Sequence, residues 1–224
     1  MEYVQILRRV ILLVRFNLKG TLSYFIAFIM QIIVIPLIVI IMIYLSLIIY
    51  GKNVDIQMII PLFLVTTVSS IIPVIAQLIG NNLMPDIKDL NASLFGDLRL
   101  IIPSMIILNL VYVLPQTMFV VILFNKFDII PLVLLAYLFT SSVGIYIGAY
   151  FKEPFKANSI GTLIYLTLVM LAPMYLTSRE IIWQIIPLSV LNLRNLIIIP
   201  YVFIVSIILL WLSSKNITSL VITI

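Results

Sequence analysis

The sequence predicts an all-α membrane protein: a six-transmembrane-helix bundle with an N-terminal interfacial amphipathic helix and a re-entrant outer segment before the last helix. Three observations predict it. The 224-residue chain is 64% hydrophobic and 9% charged, against about 45–50% and 25% in soluble domains. Uncharged apolar stretches of about 20 residues recur along its length, each enough to cross a hydrocarbon core about 30 Å thick. The charged residues fall in short connectors between these stretches, which leaves no room for a soluble domain. In lipid the backbone must satisfy its own hydrogen bonds, so stretches of this length are read as helices.

Residues 1–19 carry Arg8, Arg9, Arg15 and Lys19 on one arc of a helix, with Val4, Leu7, Ile11, Val14 and Leu18 opposite. Leu12 and Phe16 interrupt the basic arc. The pattern fits a helix lying in the membrane interface; a plain positively charged anchor for the first span is the alternative. The apolar stretch that follows far exceeds the 7–15 or so residues of a signal-peptide core and has no small-residue cleavage site, so it is read as retained.

The membrane domain is expected over 20–214, with a short tail at 215–224. Its first span, 21–50, would be about 45 Å long as a straight helix and must tilt or kink, with Pro36 the kink site. Gly51 to Asp55 connect it to the second span, 56–80, which contains Pro61 and Pro73. Residues 81–99 form the longest polar segment, and polar and apolar residues alternate between 85 and 96 with the spacing of a short amphipathic helix. The third and fourth spans, 100–124 and 129–151, flank a connector too tight to hold a domain. A small charged loop, Lys152 to Lys156, precedes the fifth span, 159–175, and the sixth is 196–212. Between these last two, the apolar run 181–186 with Trp183 lies between charged residues and is shorter than a span. It fits either a re-entrant helix at the outer surface or a loop lying along the interface.

Orientation follows from the basic residues. With the N-terminus inside, Arg8, Arg9, Arg15, Lys19, Lys88, Arg99, Lys152, Lys156 and Lys215 face the cytoplasm and Lys52, Lys126, Arg179 and Arg194 face out. This excess places both termini inside. The net charge of +5 is spread over connectors, so anionic lipid is the expected partner and nucleic acid is not.

Several function classes are excluded or weakened. Cysteine and histidine are absent, which removes thiolate metal sites, cysteine nucleophiles and Ser-His catalysis. No Asp, Glu, Lys or Arg lies in the central part of any expected span, which argues against a proton relay in the membrane; sodium coupling through backbone carbonyls survives that argument. There is no phosphate-binding loop, so any nucleotide motor is a separate polypeptide. Asp86, Asp89 and Asp97 are the one carboxylate cluster, and a solvated loop accounts for them more simply than membrane-enzyme chemistry. Within the spans, Thr66, Ser70 and Gln77 share a face of the second helix. Such a stripe lines a path or bonds helix to helix, and the same two readings hold for Asn109, Gln116, Thr140, Ser141, Ser142, Thr162 and Thr167.

This order of elements resembles the membrane permease subunits of ABC type 2 transporters over essentially the whole chain. The local likenesses are Asp86-Ile-Lys-Asp-Leu-Asn-Ala-Ser-Leu-Phe-Gly-Asp-Leu-Arg-Leu-Ile-Ile-Pro103, entering the third helix, and Ala172-Pro173 through Pro187. The resemblance implies an exporter; an uncharged cleft suits a hydrophobic or amphipathic substrate such as a drug, lipid or peptide, and the abundance of Ile with the lack of Cys and His fits a prokaryotic cell membrane. The resemblance also implies a second permease chain and a separate ATPase that binds ATP and Mg²⁺, with no cofactor in this chain. Residues 1–19 would be the connecting helix. Residues 85–96 would be the coupling helix, with Asp86, Lys88, Asp89, Leu90, Ser93 and Leu94 meeting the ATPase. Thr66, Ser70, Gln77, Thr162 and Thr167 are the candidate translocation path, and Pro173, Trp183 and Pro187 the outer gate. A substrate-capturing subunit of an importer and a non-transporting scaffold subunit are the alternative readings.

Overall fold

The computed structural model of the chain describes residues 2–22, 34, 38, 41, 45, 56–123, 125, 127–177, 185–191 and 198–218. The expected first span with Pro36, the connector after it, Trp183 and the end of the C-terminal tail lie outside them. Among the described residues the structure is all helical, with no strand. In chain order the helices are α1 (Glu2–Leu22), α2 (Ile56–Ser69), α3 (Ile71–Asn82), α4 (Pro85–Phe95), α5 (Ile101–Leu123), α6 (Ile130–Phe151), α7 (Pro154–Thr177) and α8 (Ile198–Thr218), with 3₁₀ turns at Leu98–Leu100, Phe127–Ile129 and Pro187–Leu191. Among the described residues, four helical segments are long and apolar enough to cross a membrane: Ile60–Asn82, Phe127–Phe151, Pro154–Ala172 and Ile198–Thr218. A bent pair, Pro85–Phe95 with Leu98–Tyr112, makes a fifth if taken as one span.

The expected second span is divided between α2 and α3. Pro73 has no N–H to give to the Ser69 carbonyl, and the helix is interrupted at Ser70, although the Ser70 N–H still reaches the Thr66 carbonyl at 3.1 Å. Hydroxyls reinforce the strained stretch by folding back on their own helix: Thr66 to Leu62, Thr67 to Phe63, Ser69 to Val65 and Ser70 to Thr67. This segment is the centre of the bundle. Its apolar window is 83% buried, against 22% for α8, so α2–α3 is surrounded by protein while α8 turns most of its surface outward. Phe203, Ile204, Ile207 and Ile208 on α8 and Leu163 and Met170 on α7 are exposed, as suits helices that meet hydrocarbon.

Helix α3 lies between α6 and α7, and α6 also packs on α5, α7 and α8. The α3–α6 contact brings the α6 backbone onto α3 carbonyls and the stems of Ile75 and Ile79. A Cβ added at Gly148 would lie 2.5 Å from the Ile79 Cβ and 2.6 Å from the Ala76 carbonyl oxygen, and one at Gly144 would lie 2.9 Å from the Ile72 carbonyl oxygen. Gly144 and Gly148 therefore form a small-residue seam at four-residue spacing, the geometry that lets membrane helices approach most closely. On the other side of α3, Gly80 meets Pro154 and Gly161 meets Pro73 in the same way. The α5–α6 pair is tied differently, by the buried Asn109 amide donating to the Ser141 hydroxyl and, at 3.5 Å, to the Tyr137 carbonyl, and by a Thr117–Tyr137 hydroxyl pair. Polar ties of this kind contribute about 0.6 kcal/mol on average in a membrane bundle.

The turn between α6 and α7 is short because both ends are capped. Lys152 takes the left-handed conformation and returns its N–H to the Gly148 carbonyl at 3.0 Å, and Pro154 opens α7 one residue after Glu153. Glu153 pairs with Lys156 at 2.5 Å across the first turn. Near the end of α8, the Lys215 ammonium sits 3.7 Å from the centre of the exposed Trp211 ring, an aromatic and a cation placed as they are at a membrane–water boundary.

The seam gives a sharp expectation. Gly148→Ala forces α3 and α6 apart and costs about 1–3 kcal/mol, as overpacking does in closed cores. Leu166→Ala, on the exposed side of α7, should stay within about 0.5 kcal/mol. Reversible unfolding in mild detergent, followed by tryptophan fluorescence, measures both.

Candidate functional site

The polar segment after α3 is shaped by two residues that helices tolerate only at their edges. Met84 precedes a proline and is held extended, with φ −58° and ψ 142°. Pro85 then occupies the first turn of α4, where its missing N–H costs nothing. Asp86 in that turn meets the positive end of the helix dipole. At the far end, Gly96 adopts φ +79°, which an L side chain resists, and its N–H caps the Ala92 carbonyl at 2.9 Å. The chain leaves in a new direction, and α4 lies at 97° to the helix that follows it. It runs across the bundle instead of along it.

Helix α4 has two unlike faces. Asn91 is buried and Ile87, Lys88, Ala92 and Phe95 are half-buried, whereas Asp86, Asp89, Leu90, Ser93 and Leu94 are exposed. Leu90 is 51% and Leu94 61% exposed, two large apolar side chains on a surface otherwise marked by carboxylates. That combination has the composition of a docking face with an apolar centre and a charged rim.

The inner face meets α3 and α1 through three amides. The Asn82 side chain donates to the Asn17 Oδ1 at 2.9 Å and to the Leu78 carbonyl at 2.7 Å, and its Oδ1 accepts from Asn91 Nδ2 at 3.0 Å. Asn17 in turn donates to the Leu13 carbonyl at 2.9 Å. All three side chains are at least 95% buried, and the Asn82 amide uses both of its donor hydrogens and its oxygen. Arg9 adds a second tie between α1 and α4, donating from Nη1 to the Phe95 carbonyl at 3.2 Å. Arg8, Arg9, Arg15 and Lys19 remain exposed, together with Tyr3, Val4, Leu7, Ile11, Leu12 and Phe16. The buried side of α1 is Val10, Leu13 and Asn17.

Beyond α4, Asp97 accepts from the Arg99 backbone N–H at 2.9 Å and pairs with its guanidinium at 2.9 Å. Partial burial pushes the Asp97 carboxyl upward, but the hydrogen bonds and charge of Arg99 outweigh it and hold the group below its ordinary range. The same partnership raises Arg99. This turn packs on α5 and α8 and touches α1, while Gly80 at the end of α3 abuts Pro154 at the start of α7. The elements carrying Arg8, Arg9, Arg15, Lys19, Lys88, Arg99, Lys152, Lys156 and Lys215 therefore meet at one end of the bundle.

The candidate path residues fall in two places. Thr66 and Ser70 are buried and bonded to their own helix, and Gln77 is half-buried. Thr162 and Thr167 lie on the other side of the bundle's surface, along an open groove of about 550 Å³ on α7 with Ser159, Leu163, Leu166 and Met170. Of the outer residues, Pro187 begins a 3₁₀ turn whose Leu188, Ser189, Val190 and Leu191 are buried; Pro173 is within α7, its side chain outside the described residues, as is Trp183. Among the described residues no three of His, Cys, Asp and Glu converge to hold a metal.

Asn17 and Asn82 were not singled out by patterning, and Asn91 stood out only as one polar residue of the segment 81–99; nothing in the pattern relates the three. The Gly144-Ile-Tyr-Ile-Gly148 spacing was a readable signal for the α6 seam. Comparison with protein-family models, with curated proteins and with solved structures gives no match.

Because the Asp97 carboxylate is favoured by folding, its contribution is complete above its ordinary value of 3.8 and fades as pH falls through its lower folded value. The unfolding midpoints of the parent and Asp97→Asn should differ slightly at pH 7 and converge once the pH has fallen through the lowered folded value, with added salt shrinking the difference at pH 7.

Proposed function

We propose that the chain is the membrane permease subunit of an ATP-driven exporter of the ABC type 2 kind, working with a separate ATPase and a second permease chain. The observation that carries this reading is α4, an 11-residue helix set at 97° to the next helix, with Leu90 and Leu94 exposed among Asp86 and Asp89. A chain with no phosphate-binding loop and no charged relay in its expected spans needs an outside source of energy. An amphipathic helix lying across one end of the bundle is the element through which such a source can push.

On this reading α1 lies in the inner interface, its basic residues toward anionic headgroups. Both termini are cytoplasmic, and the membrane is that of a prokaryotic cell. ATP binding draws the two ATPases together, the α4 helices follow, and the bundles change which side their shared cleft faces. The α7 groove with Thr162 and Thr167 supplies one wall of that cleft when a second chain closes over it. Its uncharged lining suits a hydrophobic or amphipathic substrate. A second reading, a non-transporting assembly subunit, draws on the burial of Thr66 and Ser70 and on their hydroxyl protons being donated within their own helix.

Co-expression with candidate ATPases followed by affinity capture in mild detergent separates the two. The intact chain should recover one ATPase, and the triple variant Asp86→Ala, Lys88→Ala, Asp89→Ala should lose it while retaining its elution volume. Recovery of none by the intact chain favours the assembly subunit.

A further inference from the structure

Helices α3 and α4 are joined only by Leu83 and Met84. A two-residue joint with an extended residue in it is a pivot: a force on α4 applied to such a joint alone would swing α4 and leave α3 where it is. The three buried asparagines span this pivot. Asn91, in the middle of α4, holds the Asn82 side chain at 3.0 Å and the Asn82 carbonyl at 3.3 Å, and Asn82 holds Asn17 of α1 at 2.9 Å. Arg9 of α1 fixes the C-terminal end of α4 through the Phe95 carbonyl. Helix α4 is thus pinned at its middle and at one end, on two different partners.

We propose that the Asn17–Asn82–Asn91 junction is a brace that makes α1, α3 and α4 move as one body, with Asn82 the positioning residue that delivers displacement of α4 into the centre of the bundle. Two features make the delivery effective. The junction is buried and the Asn82 amide fully paired, and satisfied polar networks of this kind are stiff and specific in geometry. Beyond Asn82, α3 touches α6 and α7 through Gly148, Gly144, Gly80 and Gly161, each set against backbone atoms or the branched stems of Ile75 and Ile79. Not even a Cβ fits at those contacts, which leaves little slack to absorb a shift, so movement of α3 has to move its neighbours or break the seam. The proposal rests on the reading of α4 as the ATPase-facing element, but the brace itself is a property of this chain alone.

Hydrogen exchange in lipid nanodiscs tests both parts. In the chain by itself, Asn82→Leu should speed exchange of the α4 amides and of the second half of α1 together, by about tenfold, the size expected from unpairing buried amide groups. Asn91→Leu, which alters only α4, should speed α4 by a similar factor even if Asn82→Leu proves poorly folded. Asp128→Asn, at an exposed position in the turn before α6, should change neither. Unaltered exchange of α4 in both asparagine variants overturns the brace.

With a captured ATPase present, ATP should change exchange in α6 and α7 of the parent. In Asn82→Leu that change should vanish while ATPase capture persists, because the exposed face of α4 is untouched; a merely structural role for Asn82 would leave the ATP-driven change in place. A full ATP response in Asn82→Leu overturns the positioning role. Failure of the intact chain to capture any ATPase overturns the exporter reading instead, and the exchange of α4 in the chain alone still decides the brace.

Discussion

Helix α3 comes so near α6 and α7 that glycines and proline rings replace ordinary side chains at the contacts, and the rest of the bundle is arranged around that approach. Gly144 and Gly148 bring α6 onto the carbonyls of Ile72 and Ala76, Gly161 brings α7 onto Pro73, and Gly80 brings α3 onto Pro154. Without a hydrophobic force between helices in lipid, close packing of this kind is a main source of association. It also explains why the most buried segment is the one interrupted at Ser70. A helix with a proline in its middle leaves a carbonyl without its usual donor, and a segment enclosed by other helices has more ways to meet that deficit than one facing lipid.

Polar side chains in the bundle divide by what they bond. Thr66, Thr67, Ser69, Ser70, Ser142, Ser206 and Ser213 return their hydroxyls to carbonyls of their own helices, which satisfies them without linking anything. Asparagine behaves differently. Its longer amide carries donors and an acceptor and reaches across, so Asn109 ties α5 to α6 and the Asn17, Asn82 and Asn91 set ties α1, α3 and α4. The contacts that define how helices sit against one another are therefore made by glycine at one extreme of size and by asparagine through its chemistry, and the many hydroxyls are largely private to each helix.

The helical class was legible because hydropathy and span length are local properties, and α4 because its polar and apolar residues alternate at helical spacing between Pro85 and Gly96. Pro85 and Gly96 also mark its ends by rules that need no tertiary structure. The placement of the polar residues was not legible: Thr66 and Thr167 both return their hydroxyls to a carbonyl of their own helix and have the same pattern in sequence, and only burial separates Thr66 from the exposed Thr167. The asparagine junction joins positions 17, 82 and 91, and no periodicity relates helices that meet only after folding. The count of six spans rests on residues 21–50, whose hydropathy is plain in the sequence and most of which lie outside the described residues.

The two ends of the bundle differ in a way that bears on mechanism. At one end α1, α4, the Asp97–Arg99 turn and the α6–α7 turn converge, and their contacts are directional: amide pairs, a capped glycine, ion pairs and a proline seated on a glycine. Such contacts hold angles as well as distances, so this end behaves as a jointed but stiff plate. Along the bundle's outer side α7 and α8 present exposed apolar residues to whatever surrounds them, and apolar contacts with lipid are non-directional and easily exchanged. On the proposed exporter reading, a push taken at α4 would meet directional contacts first and reach the outer helices as sliding or tilting along apolar surfaces that offer little resistance.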